Sequence, residues 1–129
     1  MAYQATPALN GALFVPVVLH SENNRRSWKG NALLDTGSQY ALINPSVVSQ
    51  LGLVSRGEAE NNTQWGVQKA RLYIVRTAVE GLFDDLLSAR EFLGAEHQFI
   101  LGRQFLSGMT LEVDWPEATF RLEKATRAK

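Results

Sequence analysis

Apolar residues in this chain come in short bursts separated by turn residues, not in long helical stripes. The first burst, Ala12-Leu13-Phe14-Val15-Pro16-Val17-Val18-Leu19, is rich in β-branched and aromatic residues and predicts a strand over 12–20. Pro16 has no N–H to donate, which places it at an edge or a bulge. A polar turn over 21–26 carries Arg25 and Arg26 at its solvated tip. A returning strand over 28–34 then delivers Asp35 at its end, and a short strand over 40–43 follows. Asn44-Pro45-Ser46 supplies an N-cap and a proline at the first helical position. Val47, Val48 and Leu51 share one helical face, and Gly52 closes a helix of about two turns.

Residues 55–64 are polar, and 70–79 read as a long strand. Together they predict an exposed hairpin tipped at Trp65-Gly66-Val67. The stretch 83–93 suits a helix or a strand equally, because Phe83, Leu86, Leu87, Ala89 and Phe92 fit neither period fully. His97-Gln98-Phe99-Ile100-Leu101-Gly102 predicts a short strand, and 103–107 a short helix stopped by Gly108. Alternation over 109–115 and 118–123 predicts a terminal hairpin turning at Asp114-Trp115-Pro116-Glu117. Residues 1–11 are weakly patterned, with turn signals at Pro7 and Asn10-Gly11. One internal echo stands out: an apolar strand, a glycine loop and a short helix occur around Gly37 and again around Gly102. Short strands, two small helices and frequent turns predict an all-β barrel or sandwich with minor helix, in one domain over 1–129.

Composition narrows the function. With 129 residues, 45% of them hydrophobic, the chain can bury one core. Thirteen basic and thirteen acidic residues cancel, so no overall field steers it to nucleic acid or membrane. Arg121, Lys124, Arg127 and Lys129 read as a solvated tail. The absence of cysteine excludes thiol catalysis, zinc–thiolate sites and disulfides. The run 12–19 is too short to cross a bilayer and has no basic residue before it, so a soluble, cytoplasmic protein is expected. Nothing calls for a metal or cofactor.

The chemistry centres on Ala32-Leu33-Leu34-Asp35-Thr36-Gly37-Ser38. Burial between apolar runs penalises a carboxylate unless donors hold it, and here two hydroxyls and a glycine N–H are at hand. Taken alone, Asp-Thr-Gly is most simply an Asx-type turn at a strand end. Its setting between Ala32-Leu33-Leu34 and Ala41-Leu42-Ile43, with Ile100-Leu101-Gly102-Arg103-Gln104-Phe105-Leu106 later in the chain, argues for more.

Through those two motifs the sequence resembles the retropepsin-like aspartic proteases over about residues 12–123, nearer to bacterial and cellular members than to viral ones. The resemblance implies a closed acid-protease barrel with one lobe per chain, and an aspartic endopeptidase that needs no cofactor. It makes Asp35 the catalytic acid/base, with Thr36, Gly37 and Ser38 supporting the active-site loop. Thr36 would bond across a dimer axis, Gly37 would give its N–H to the carboxylate, and a Ser38 hydroxyl would further stabilise the pair. Trp65, Gly66 and Val67 would form the tip of a flap over a peptide or protein substrate. Gly102 and Arg103 would begin the helix beneath the loop, as structural residues.

Hydrolysis by carboxylates needs one group ionised to activate water and one protonated to polarise the carbonyl. Two carboxylates about 3 Å apart arrange this, because like charges split their shared titration. Asp84 and Asp85 are adjacent and lack a glycine loop, and Asp114 lies in a predicted turn, so this chain offers one suitable acid. A two-fold homodimer supplies the second. Two departures from retroviral members matter. The predicted flap tip carries only Gly66, and Gln39 stands where those members have an acid paired with the helix arginine. A retropepsin-like module that only binds peptides or dimerises therefore stays open. So does a small β-barrel ligand-binding or phage structural protein with an incidental Asp-Thr-Gly.

Overall fold

Leu33, Leu42 and Ile100 lie side by side in the sheet at the centre of the protein, although they come from distant parts of the chain. The computed structural model describes residues 2–63, 66–92 and 97–125. In chain order its elements are β1 (Ala2–Ala5), β2 (Phe14–His20), β3 (Ser27–Leu34), β4 (Ala41–Ile43), α1 (Pro45–Leu51), β5 (Glu58–Thr63), β6 (Gly66–Val79), β7 (Phe83–Glu91), β8 (Phe99–Leu101), α2 (Arg103–Leu106), β9 (Met109–Asp114) and β10 (Thr119–Lys124).

The larger sheet runs β2-β3-β8-β4-β7-β6-β5, and β2 also pairs with β6. That last pairing closes six strands into a barrel and leaves β5 outside it. The chain is thus mostly β with little helix, a closed barrel forming one lobe. Alternation explains the core. Val15, Val17 and Leu19 of β2 and Tyr73, Val75 and Val79 of β6 point inward and are buried. Phe99, Ile100 and Leu101 of β8 are all buried, because both faces of this strand are covered. Pro16 is exposed and sits before Val18, where the pairing of β2 with β6 starts. There β2 has β3 as its neighbour, so the missing N–H costs no ladder bond on that side.

The caps of α1 behave as the sequence predicts. The Asn44 side chain accepts the Ser46 N–H at 2.9 Å, Pro45 opens the helix, and Gly52 closes it at φ 63°. Val47, Val48 and Leu51 face the core. The stretch 83–91 is a strand: β7 pairs along its whole length with β6, and tertiary pairing settles an ambiguous period. The weakly patterned N-terminus also contains a strand. β1 joins β10, which pairs with β9, in a separate three-stranded sheet, and the Tyr3 ring packs on buried Phe120 with centroids 5.9 Å apart. Its four residues carry little periodicity, so the partner strand and not local pattern makes it a strand.

β6 serves two structures at once. Residues 72–79 belong to the barrel beside β7, whereas 66–71 extend past it and pair with β5 alone. The predicted hairpin is therefore real and projects from the barrel, with Thr63 opposite Gly66. The proposed tip residue Trp65 lies outside the described residues.

Candidate functional site

Strands β3 and β4 flank β8, yet they are joined by the short loop 35–40. That loop must arch over the end of β8, where Gly102 lies. The two glycine motifs of the sequence therefore meet in space. The Asp35 N–H donates to the Leu101 carbonyl at 2.9 Å, continuing the parallel pairing of Leu34 with Leu101.

Gly102 is required here by proximity, not by its backbone angles, which are extended at φ −102°. A Cβ would sit 2.6 Å from the Tyr40 carbonyl oxygen and closer still to that of Ser38. The same contact accounts for the missing side-chain cap on α2. The first amides of a helix lack internal partners. In α2, Arg103 N–H donates to the Ser38 carbonyl at 2.8 Å and Gln104 N–H to the Gln39 carbonyl at 3.0 Å. Loop and helix terminus thus satisfy each other.

Asp35 is half-buried, and its Oδ1 accepts the Gly37 N–H at 2.8 Å. A turn bond from Ser38 N–H to the Asp35 carbonyl, at 3.2 Å, holds the carboxylate's own backbone. The Ser38 hydroxyl donates to the Tyr40 carbonyl at 2.8 Å, so within one chain it stiffens the loop. Thr36 is exposed, and among the described residues its hydroxyl makes no hydrogen bond.

Above this loop opens a cleft of about 680 Å³. Asp35, Gly37, Ser38 and Gln39 form one wall with Arg103, and Glu60, Gln68, Lys69 and Ala70 of the hairpin form the other. The Arg103 side chain is exposed in the cleft, whereas Gly66 and Val67 stand at the exposed outer end of the hairpin. Lining by the hairpin stems, Tyr40 and Arg90 was not foreseen. Position next to the Asp-Thr-Gly motif could have flagged Tyr40. No sequence signal marks Arg90, which arrives through the parallel pairing of β4 with β7 that sets it beside Leu42.

Arg90 links the two walls. Its guanidinium carbon lies 3.7 Å from the Tyr40 ring centroid, and Nη1 donates to the Glu60 carbonyl. Stacking and a charge-assisted bond together fasten the hairpin to the loop. Arg90→Ala should lower the hydrogen-exchange protection of the 58–63 amides by about tenfold. Unchanged protection would show that the hairpin holds its place without this tie. Nearby, burial raises the Tyr73 phenol above its ordinary value, and its hydroxyl donates to Glu91 Oε2 at 3.2 Å.

The other aspartates have different duties. Asp84 receives two hydrogen bonds from Arg76, both 2.9 Å, which hold its carboxyl below the usual range. Asp85 Oδ1 accepts the Leu86 N–H, and Asp114 Oδ1 accepts the Glu117 N–H inside the terminal turn. Asp35 is the one aspartate lining the cleft. Among the described residues no cluster of three or more potential metal ligands occurs. Among the described residues no helix is long and apolar enough to cross a membrane.

No family model matches the sequence, and no curated protein matches it. Solved structures do. A retropepsin-like aspartic protease from Rickettsia conorii superposes with a TM-score of 0.68 at 16% identity, over 95% of this chain and 90% of that one. The EIAV protease, complexed with the inhibitor HBY-793, gives 0.57 at 18% identity over 80% and 92%. The retroviral protease-like domain of Ddi1 from Leishmania major gives 0.53 at 15% identity over 89% and 94%.

Proposed function

From the retropepsin-like fold of this chain, we propose that it is an aspartic endopeptidase whose catalytic pair forms from Asp35 of two copies. The observation that carries this reading is the placing of Asp35. Its carboxylate is oriented by the Gly37 N–H in one wall of a cleft whose other wall is the hairpin, while the other aspartates sit in surface or turn roles.

A two-fold axis passing beside the 35–40 loops brings the two carboxylates together. One proton is then shared, since two charges about 3 Å apart cannot both persist. The ionised partner takes a proton from water, and the protonated one donates to the scissile carbonyl as the tetrahedral intermediate forms. The proton assignments belong to the pair and not to either residue. Exposed Thr36 is free to bond to the opposite loop and fix the spacing of the pair. The β5–β6 hairpin lies over the peptide and excludes water.

Concentration dependence tests the assembly. Peptide cleavage should rise with the square of protein concentration below the dimer dissociation constant, and light scattering should show the dimer where activity saturates. A strict monomer at high micromolar concentration would leave no catalytic pair. Rate against pH gives a second check. The reaction needs the shared proton, so activity should fall as pH rises through the upper step of the pair and that proton is lost. A rate still climbing at about pH 9 contradicts an acid–base carboxylate pair.

The Arg90 tie favours a second reading, a peptide-binding or dimerisation module with little or no turnover. A hairpin fastened to the loop opens less readily for a substrate. Peptide binding that is unchanged by Asp35→Asn, without cleavage by the wild type, distinguishes it.

A further inference from the structure

We propose that Arg103 recognises the substrate, selecting peptides that carry an acidic side chain near the cleaved bond. This inference rests on the cleft being the peptide site. Three cationic side chains line that cleft: Lys69, Arg90 and Arg103. One of them is already engaged across the site, and another stands on the wall away from Asp35. Arg90 stacks on Tyr40 and donates to the Glu60 carbonyl, whereas Lys69 belongs to the hairpin wall and forms no ion pair among the described residues, although Glu60 is opposite in register. Arg103 differs. Among the described residues its guanidinium makes no hydrogen bond or ion pair, and it is exposed to the cleft.

The reason lies in the loop. Gln39, whose backbone carbonyl accepts the Gln104 N–H, lines the cleft with a neutral amide and so brings no charge to neutralise the arginine. Of the cleft's acids, Asp35 accepts the Gly37 N–H, Glu91 accepts the Tyr73 hydroxyl, and Glu60 stands on the hairpin wall opposite Lys69. The base of Arg103 is nonetheless held firmly. Its N–H donates to Ser38 at 2.8 Å, and the packing of Gly102 against two loop carbonyls keeps that segment in register with Asp35. A rooted side chain with an open five-donor fork matches a carboxylate in two places at once. Closing the hairpin removes water and strengthens that bond. A two-fold assembly repeats Arg103 on both sides of the catalytic pair, so the preference holds on either side of the cleaved bond.

The test uses peptides that differ only by Glu or Gln within three residues of the cleaved bond. The wild type should show kcat/KM about tenfold higher for the Glu peptide. Arg103→Gln should bring the ratio near one, and Arg103→Glu should turn the preference towards a Lys peptide. Arg103→Lys, which keeps the charge and loses the fork, should fall between. The same pairs bound to Asp35→Asn, read by fluorescence anisotropy, give the acid-over-amide ratio without turnover. If no peptide is cleaved but that ratio persists and depends on Arg103, the protease reading fails and this one stands. A wild-type ratio near one, in cleavage and in binding, overturns the proposal. So does Arg103→Gln that dissociates the dimer yet leaves the ratio unchanged, since the arginine would then serve the assembly.

Discussion

Asp35→Asn should lower peptide cleavage by about 10⁴-fold or more while leaving the fold intact. The substitution keeps an oxygen where Oδ1 accepts the Gly37 N–H, so the loop loses no internal bond. It removes the group that takes and returns the proton, and an amide does neither at neutral pH. Tm should therefore move by less than about 4 °C, equivalent to under 1 kcal/mol in a domain of this size. The dimer should hold, because the amide can still hydrogen-bond across the axis where the shared proton did. Mixing gives a sharper readout. When wild-type and variant chains are allowed to exchange, activity should follow the square of the wild-type fraction, since a heterodimer has half a pair. A linear decline would mean that each chain works alone. Unchanged turnover of the pure variant would remove Asp35 from the chemistry altogether.

Gly102→Ala should be the most damaging substitution of a single small residue. The added methyl meets the backbone carbonyls of Ser38 and Tyr40, and neither can rotate away as a side chain would. Relief requires the 35–40 loop to lift off β8 and α2, breaking the bonds from Arg103 and Gln104 N–H. Overpacking of this kind costs about 1–3 kcal/mol, or on the order of 5–15 °C in Tm. Activity should fall further than stability, since Asp35 belongs to the displaced loop and a shift of about 1 Å in a reacting group can cost a hundredfold. Gly108→Ala is the control. Nothing lies within 4 Å of its added Cβ, so thermal melting should barely change. Equal Tm values for the two variants would contradict the tight approach of loop and helix.

Much of this architecture was legible locally. Asn44, Pro45 and Gly52 mark α1 because caps act within a few residues, and the structure places all three in those roles. The terminal hairpin follows from alternation flanking a turn, and β9 and β10 pair across it from Asp114 to Thr119. The site was legible in part. Asp35, Gly37 and Ser38 of the first motif line one cleft, Gly102 lies directly beneath, and Arg103, expected as a structural residue under the loop, lines the cleft as well. The hairpin contributes through Glu60, Gln68, Lys69 and Ala70, residues of its stems. Which hairpin residues face a cleft depends on how far β6 runs beyond β7, and no local pattern encodes that overhang.

The sequence by itself determined the parts whose causes are short-ranged: the apolar strands, the capped helix, and a carboxylate with a glycine N–H two residues away to hold it. It also showed the echo between the motifs at Gly37 and Gly102, but not why there should be one. Tertiary structure decided that. Threading β8 between β3 and β4 forces the loop to arch over Gly102, which puts two carbonyls where a Cβ would go and two helix amides where those carbonyls need donors. The same threading leaves the Arg103 guanidinium open to the cleft and sets Arg90 against Tyr40. These are contacts between segments far apart in the chain, and closing the barrel is what brings them within hydrogen-bonding distance.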